Sequence, residues 1–147
     1  EVVSVAVSKT SEPTATADGW ETLGDLGHFD ADGYLYLVER LSDMVVVGGS
    51  NVYPAEVENI LYELKEIREV AVIGVADEQW GEAGCAVVAL QDGAVLDADQ
   101  LRRHTRDRLA RFKQPKYVIY TDALPRNATG KVQKFVLRDS IDLTQAQ

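Results

Sequence analysis

The residues best placed to do chemistry lie in "PRNATGKVQK", positions 125 to 134, where Lys131 follows a glycine in a run of small polar residues. A glycine-lysine pair suggests phosphate binding. The phosphate-wrapping pattern G-x-x-x-x-G-K-[ST], however, needs glycine six places before the lysine and a hydroxyl directly after it for magnesium. Those positions hold Pro125, which has no amide hydrogen, and Val132, which has no oxygen. Lys131 needs another explanation, and taken alone a solvated surface lysine would suffice.

Charge narrows the choice. The net charge of -9 is unevenly spread: residues 101 to 138 hold eleven of the fifteen Lys and Arg against only Asp107 and Asp122, a formal +9 against -18 for the remainder. A local basic region on an acidic chain suits a small anionic ligand, a nucleotide or a phosphate-bearing cofactor, better than a nucleic acid. For Arg102 to Arg108 a solvated helix face explains the same pattern. Cys85 is the single cysteine and sits in the apolar run "CAVVAL", which marks a core residue and a reducing, cytoplasmic setting. No apolar stretch approaches the roughly 20 residues of a membrane span, and "EVVSVAVSKT" is no secretory leader. His28 and His104 have no partners at metal-ligand spacing, so no protein-built metal site is expected.

The elements that must position these residues follow from periodicity. With 147 residues, 46% of them hydrophobic, the chain can bury one core, with room for a fragment of something else. "SKTSEPTATADG" (8 to 19) reads as a turn-rich surface connection. "HFDADGYLYLVER" places two apolar segments about Asp-Ala-Asp-Gly and predicts a hairpin; "MVVVGGSNVYP" repeats the pattern about Gly48 and Gly49. A helix is expected from Pro54, with Val57, Ile60, Leu61 and Leu64 on one face and Glu56 and Glu58 favouring its N-terminus. "EVAVIGVA", "CAVVAL" and "KYVIYT" read as strands, 98 to 111 as a second helix, and 132 to 140 as a short third. The sum is an α+β fold: a small domain at 42–147 with a three-stranded sheet, flanking helices and a β-hairpin, preceded at 1–41 by a strand-rich segment.

Three segments in fixed order, "GWETLGDLGHFDADGYLYLVER", "LSDMVVVGGSNVYPAEVE" and "PRNATGKVQK", joined by "DEQWGEAGCAVVA" and "LARFKQPKYV", resemble the C-terminal part of the adenylate-forming enzymes. That superfamily comprises acyl-CoA synthetases, peptide-synthetase adenylation domains and firefly-type luciferases. The resemblance implies a carboxylic acid activated with ATP and Mg2+ to an acyl-AMP and then passed to the thiol of CoA. It also implies a small lid at 42–147 that rotates between the two half-reactions, and a 1–41 segment that is the tail of a large N-terminal domain. Lys131 matches the adenylation lysine, a positive charge delivered to the carboxylate and the α-phosphate. Asp25 matches the aspartate that holds the ATP ribose, where a turn aspartate is the alternative, and Arg40 matches the arginine beside it. Ser42 falls at the hinge, where aspartate or lysine is more usual. Gly48 and Gly49 match the loop lining the thiol passage, though an ordinary hairpin turn uses the same pair. Phe112 matches a face for the adenine of CoA, and Lys113 or Lys116 a charge for its phosphate; Gln114 stands where some relatives have arginine. Trp80 and Glu82 read as packing and turn contacts.

The nucleotide grip, the Mg2+-associated glutamate and the acyl pocket of that family belong to its N-terminal domain, none of whose motifs is in this chain. An acyl-CoA synthetase lid is the reading preferred here. A lid serving a carrier protein, or a non-catalytic binding module of the same fold, stays open. The chain by itself is expected to be catalytically inert. Pyrophosphate release from ATP and a fatty or aryl acid should not exceed that of a Lys131→Ala control, and a clear excess would refute the expectation.

Overall fold

The computed structural model describes residues 3–8 and 20–147, so most of the turn-rich stretch 8 to 19 lies outside the described residues. The chain divides into two compact units, Glu1–Ser42 and Asp43–Gln147, the division falling after Ser42.

In the first unit β1 (Val3–Ser8), β2 (Trp20–Phe29) and β3 (Leu35–Arg40) form an antiparallel sheet in that order. The β2–β3 connection is held by Asp30, whose Oδ1 accepts from the amides of Asp32 at 3.0 Å and Tyr34 at 2.9 Å. The Tyr34 amide first, and then the Tyr36 side chain and the Asp32 amide, draw the Asp30 carboxyl below its ordinary value. The register puts Asp25 directly opposite Arg40.

The second unit is one mixed sheet with helices on both faces. Its elements are β4 (Val45–Val47), β5 (Ser50–Val52), α1 (Pro54–Leu61), β6 (Ile67–Asp77), β7 (Gly81–Leu90), α2 (Ala98–Arg106), β8 (Tyr117–Tyr120) and α3 (Lys134–Ser140). The expected three strands are β6, β7 and β8, and the expected hairpin is β4–β5. The hairpin does not stand apart, because Val47 pairs with Gly81 and so extends the sheet to five strands. β7 is central, antiparallel to β6 and parallel to β8.

Both faces of this sheet are covered, which is why its strands read as unbroken apolar runs. Val70, Val72, Ala86, Val88 and Val118 face a core shared with Val57 and Leu61 of α1 and Leu101 of α2. Ala71, Ile73, Val75, Cys85, Val87 and Ile119 point the other way, against Leu124 and Leu137 of α3. Burial pushes the Cys85 thiol up to about 12, consistent with an inert core residue.

The second helix is shorter than 98 to 111. It starts on a capping box, with Asp97 Oδ1 accepting from Gln100 N at 2.7 Å and Gln100 Oε1 accepting from Asp97 N at 3.0 Å. It ends at Arg106 because Thr105, fully buried, donates its hydroxyl to Arg102 O at 3.1 Å, while its carbonyl accepts from both Arg108 and Leu109. That tightens the last turn and sends the chain into a 3₁₀ turn at Arg111–Lys113 ahead of the buried Pro115. The third helix begins at Lys134, since Val132 pairs with Arg126 in an isolated antiparallel bridge.

Among the described residues no strand pairs with the outer edge of β6, and α1 covers it instead. The Val72 amide donates to Glu58 Oε1 at 2.8 Å and the Val70 amide to the Tyr62 hydroxyl at 3.3 Å, satisfying alternate donors that would otherwise present an open edge. Glu58 Oε1 also meets Lys134 Nζ at 2.9 Å, with both side chains largely buried. Removing that carboxylate strands a strand amide and an ammonium together. Glu58→Ala should lower the unfolding free energy by about 2–4 kcal/mol in urea titration. A loss under about 0.5 kcal/mol would show that the pair is worth no more than a surface ion pair.

Candidate functional site

Lys131 sits on a tight hairpin organised by one side chain. Asn127 Oδ1 accepts from Thr129 N at 3.1 Å, Thr129 Oγ1 at 2.8 Å and Lys131 N at 2.8 Å. Gly130 takes φ +84°, a conformation a β-carbon disfavours, and closes the turn through its amide on Asn127 O at 2.9 Å. The feet of the hairpin are pinned. On one side the Arg126 guanidinium bonds Glu69 of β6 and holds that carboxyl below its ordinary value; on the other Lys134 bonds Glu58. Lys131 itself is exposed, and among the described residues no carboxylate pairs with it. A rigid stalk thus carries a free ammonium.

A second feature lies at the far end of β6. An open cleft of about 620 Å³ is bordered by Val47, Gly48 and Ser50 of the β4–β5 hairpin, by Trp80, and by Arg111, Phe112 and Lys116 of the segment after α2, among others. Two loops distant in sequence therefore share one cavity. Gly48 and Gly49 have φ of +55° and +83°, the paired positive values of a two-residue hairpin turn. Gly48 also needs its bare Cα: a β-carbon there would stand 2.8 Å from the Trp80 ring, and its amide donates to Trp80 O at 3.0 Å. Gly49 faces open space and does not border the cleft.

Asp77 holds the walls of this cleft together. It is the one charged residue among those buried in the described structure, and both oxygens are used. Oδ1 accepts from Gln79 N and Trp80 N, each at 3.1 Å, which shapes the turn carrying Trp80. Oδ2 accepts from Lys116 Nζ and, at 3.0 Å, from the Tyr117 hydroxyl. Chiefly because of Lys116, the Asp77 carboxyl is drawn down to about 2, while its charge raises the Lys116 ammonium. Glu82 accepts from Val46 N at 2.8 Å and Trp80 is half-exposed over Gly48, so both make turn and packing contacts.

The remaining candidates are placed as follows. Gly48, Phe112 and Lys116 meet in the cleft, but Lys113 turns away, its ammonium 2.8 and 2.7 Å from the two oxygens of Glu56. Gln114 likewise donates its amide inward, to Leu109 O at 3.2 Å. In the first unit Asp25 and Arg40 face each other with Oδ1 and Nε 3.6 Å apart, and Ser42 lies exposed in the 3₁₀ turn Leu41–Asp43. Much of the basic segment is structural: Arg102 reaches the carbonyls of Lys116 and Gln147, Arg108 bonds Glu63, and Arg138 approaches Asp43. Asp77, Glu58 and Glu69 were not singled out by spacing as site residues. Among the described residues no group of three or more His, Cys, Asp or Glu could hold a metal ion. Nor is any helix of the described residues long and apolar enough to cross a membrane.

The α+β unit thus carries an unpaired lysine on a pinned hairpin and, separately, a glycine-lined cleft. Residues 56–131 match the family model of the AMP-binding enzyme C-terminal domain, and the chain belongs to that family. It is 46% identical over 138 residues to the long-chain-fatty-acid–CoA ligase FadD13 of Mycobacterium tuberculosis, covering 91% of this chain and 27% of that protein. It is 49% identical over 130 residues to a feruloyl-CoA synthase of an Amycolatopsis species, covering 86% and 26%. ATP-bound MatB from Rhodopseudomonas palustris superposes with a TM-score of 0.81 at 44% identity, over 85% of this chain and 25% of that one. The o-succinylbenzoate CoA synthetase MenE of Bacillus subtilis, in complex with its acyl-adenylate intermediate, gives 0.83 at 32% identity, over 100% and 32%. The chain spans about a quarter of the length of the curated relatives it matches.

The low Asp77 pKa has a consequence for stability. A carboxyl at about 2 in the fold and 3.8 ordinarily binds fewer protons folded than unfolded, so its stabilisation is full above 3.8 and is lost as pH falls toward 2. The stability gap between the wild-type chain and Asp77→Asn should therefore shrink between about pH 4 and pH 2 in denaturant titrations. A gap independent of pH over that window would mean that the Asp77 charge is not used.

Proposed function

We propose that this chain is the C-terminal lid of a cytoplasmic, AMP-forming acyl-CoA ligase. Residues 42–147 form the lid, and residues 1–41 end the large domain whose nucleotide site, with its Mg2+, completes the enzyme. The observation that carries the reading is the separation of the two candidate loops along one strand. The lysine hairpin is pinned where β6 holds Glu69 and Val72, and the cleft is built around Asp77, eight and five residues further on. At about 3.3 Å per residue those anchor points are roughly 16–26 Å apart. In this reading the two loops serve the two half-reactions in turn, and the unit rotates between them about Ser42.

In the first orientation Lys131 brings its charge to the carboxylate of the incoming acid and the α-phosphate of ATP, where negative charge builds as the acyl-AMP bond forms and pyrophosphate leaves. Asp25 and Arg40 serve the ribose, the carboxylate accepting from its hydroxyls. Because the hairpin is already fixed by Asn127, Glu69 and Glu58, little reorganisation accompanies that charge development. In the second orientation the cleft bordered by Gly48, with Gly49 next to it at the hairpin tip, admits the pantetheine arm of CoA to the acyl-AMP, with Phe112 toward the adenine. The relatives' names, two CoA ligases of different acids, support the thiol acceptor and leave the acid open.

The two loops can be tested apart in the full-length enzyme. Lys131→Ala should depress acyl-AMP formation by roughly 10² or more while sparing thioester formation from supplied acyl-AMP. Gly49→Leu should do the reverse, and Gly49→Ala, which carries the same positive-φ strain with far less bulk, separates obstruction of the thiol from a distorted turn. Pyrophosphate release and acyl-adenylate consumption measured separately decide the matter, and equal losses in both steps for either variant would remove its assigned role.

A further inference from the structure

We propose that Arg126, the second cation of the lysine hairpin, is a positioning residue for acyl-AMP formation: with Glu69 it locks the peptide plane that aims Lys131, and it does not meet the nucleotide. This rests on the reading of Lys131 as the adenylation lysine and names what holds its ammonium on target.

Arg126 and Lys131 stand on one small polar loop, and by residue type either could serve a phosphate. The fold gives them different work. The Arg126 guanidinium turns back along the loop, where Nη1 donates to Gly130 O at 2.5 Å and Nη2 to Glu69 Oε1 of β6. Its charge is thereby matched within the unit, and that bond is the chief cause holding the Glu69 carboxyl below its ordinary value. The Lys131 ammonium, by contrast, has no carboxylate partner among the described residues.

Gly130 O and Lys131 N belong to the same peptide bond. Arg126 holds the oxygen and Asn127 Oδ1 holds the N–H at 2.8 Å, so both polar groups of one rigid plane are fixed. The hold matters here because Gly130 sits at φ +84° without a β-carbon, and a glycine rotates more freely than any other residue. A rotated plane would carry the Lys131 Cα and Cβ with it and swing the long side chain off its target. The Asn127 oxygen bonds within the turn, whereas Arg126 connects the turn to the sheet: through Glu69 it refers the plane to β6, a strand buried on both faces, and its backbone bridges Val132 across the turn. A guanidinium fork can reach a carbonyl and a carboxylate at once, a geometry that a single ammonium does not offer.

The test uses variants of the full-length enzyme, with acyl-AMP formation read by pyrophosphate release and thioester formation read from supplied acyl-AMP. Arg126→Ala and Glu69→Gln should each lower kcat of the first step by roughly 10-fold, leave KM for ATP unchanged and spare the second step. Arg126→Lys, which keeps a cation for Glu69 and so guards the fold, should still show the loss. In a Lys131→Ala background Arg126→Ala should cost nothing further, because a residue that acts only through the ammonium then has nothing to position. A wild-type kcat in Arg126→Ala, a further loss in the Lys131→Ala background, or equal losses in both steps would overturn the assignment. So would a raised KM for ATP that Arg126→Lys restores, which would make Arg126 a phosphate ligand. In each of these cases the reading of Lys131 stands. If Lys131→Ala itself leaves acyl-AMP formation intact, that reading falls and the role of Arg126 falls with it.

Discussion

Strands β6 and β7 pair from Ile67 opposite Leu90 to Asp77 opposite Gly81, and because both faces of that ribbon are buried, its register admits no slip. A shift by one residue would exchange Val70 and Val72 with Ala71 and Ile73 and reverse both cores at once. Both candidate loops of the second unit are attached to this ribbon. The lysine hairpin is fastened to the outer edge of β6, the cleft is formed at the turn where β6 gives way to β7, and the glycine hairpin joins the sheet through Val47 and Gly81. Fixing one ribbon fixes the distance between the two loops.

The fastenings share a construction. Asp77, Glu58 and Glu69 each accept from a backbone amide and a basic side chain: Trp80 and Lys116, Val72 and Lys134, Leu124 and Arg126. A carboxylate used this way satisfies a strand or turn donor that would otherwise be left unpaired, and its charge is matched by the cation it holds in place. The arrangement explains how an acidic chain supports a concentrated basic segment. Most of those cations are consumed in ion pairs and hydrogen bonds within the second unit, and Lys131 is among the few left over.

Much of the local structure was legible in the sequence. Unbroken apolar runs at 69 to 76 and 85 to 90 announced strands buried on both faces, the Val57, Ile60, Leu61, Leu64 spacing announced α1, and Cys85 read as core. What stayed hidden lies in long-range pairings. Glu58 offered only a favourable charge near a helix N-terminus, yet its partners are fourteen residues away on β6 and on α3 beyond the lysine loop. Lys113 and Lys116 looked equivalent, and only the fold shows one given to Glu56 and the other to Asp77. The early end of α2 was obscured because Thr105 fits a helical pattern by spacing and ends the helix through a hydrogen bond. The family motifs carried the Lys131 assignment further than periodicity could, because spacing alone describes a surface lysine.

In the proposed cycle this unit presents two loops to one site in turn. Cys85, buried with its thiol at about 12, will not take a thiol-directed label, so a single probe can be placed at Ala128→Cys beside Lys131 and a second on the large domain near the α-phosphate site. Pulsed dipolar measurement of that distance should give a short separation with ATP and acid and a longer one, by an amount comparable to the roughly 16–26 Å between the anchors, once acyl-AMP and CoA are bound. One unchanged distance across both states would contradict alternation and reduce the two loops to features of a static domain.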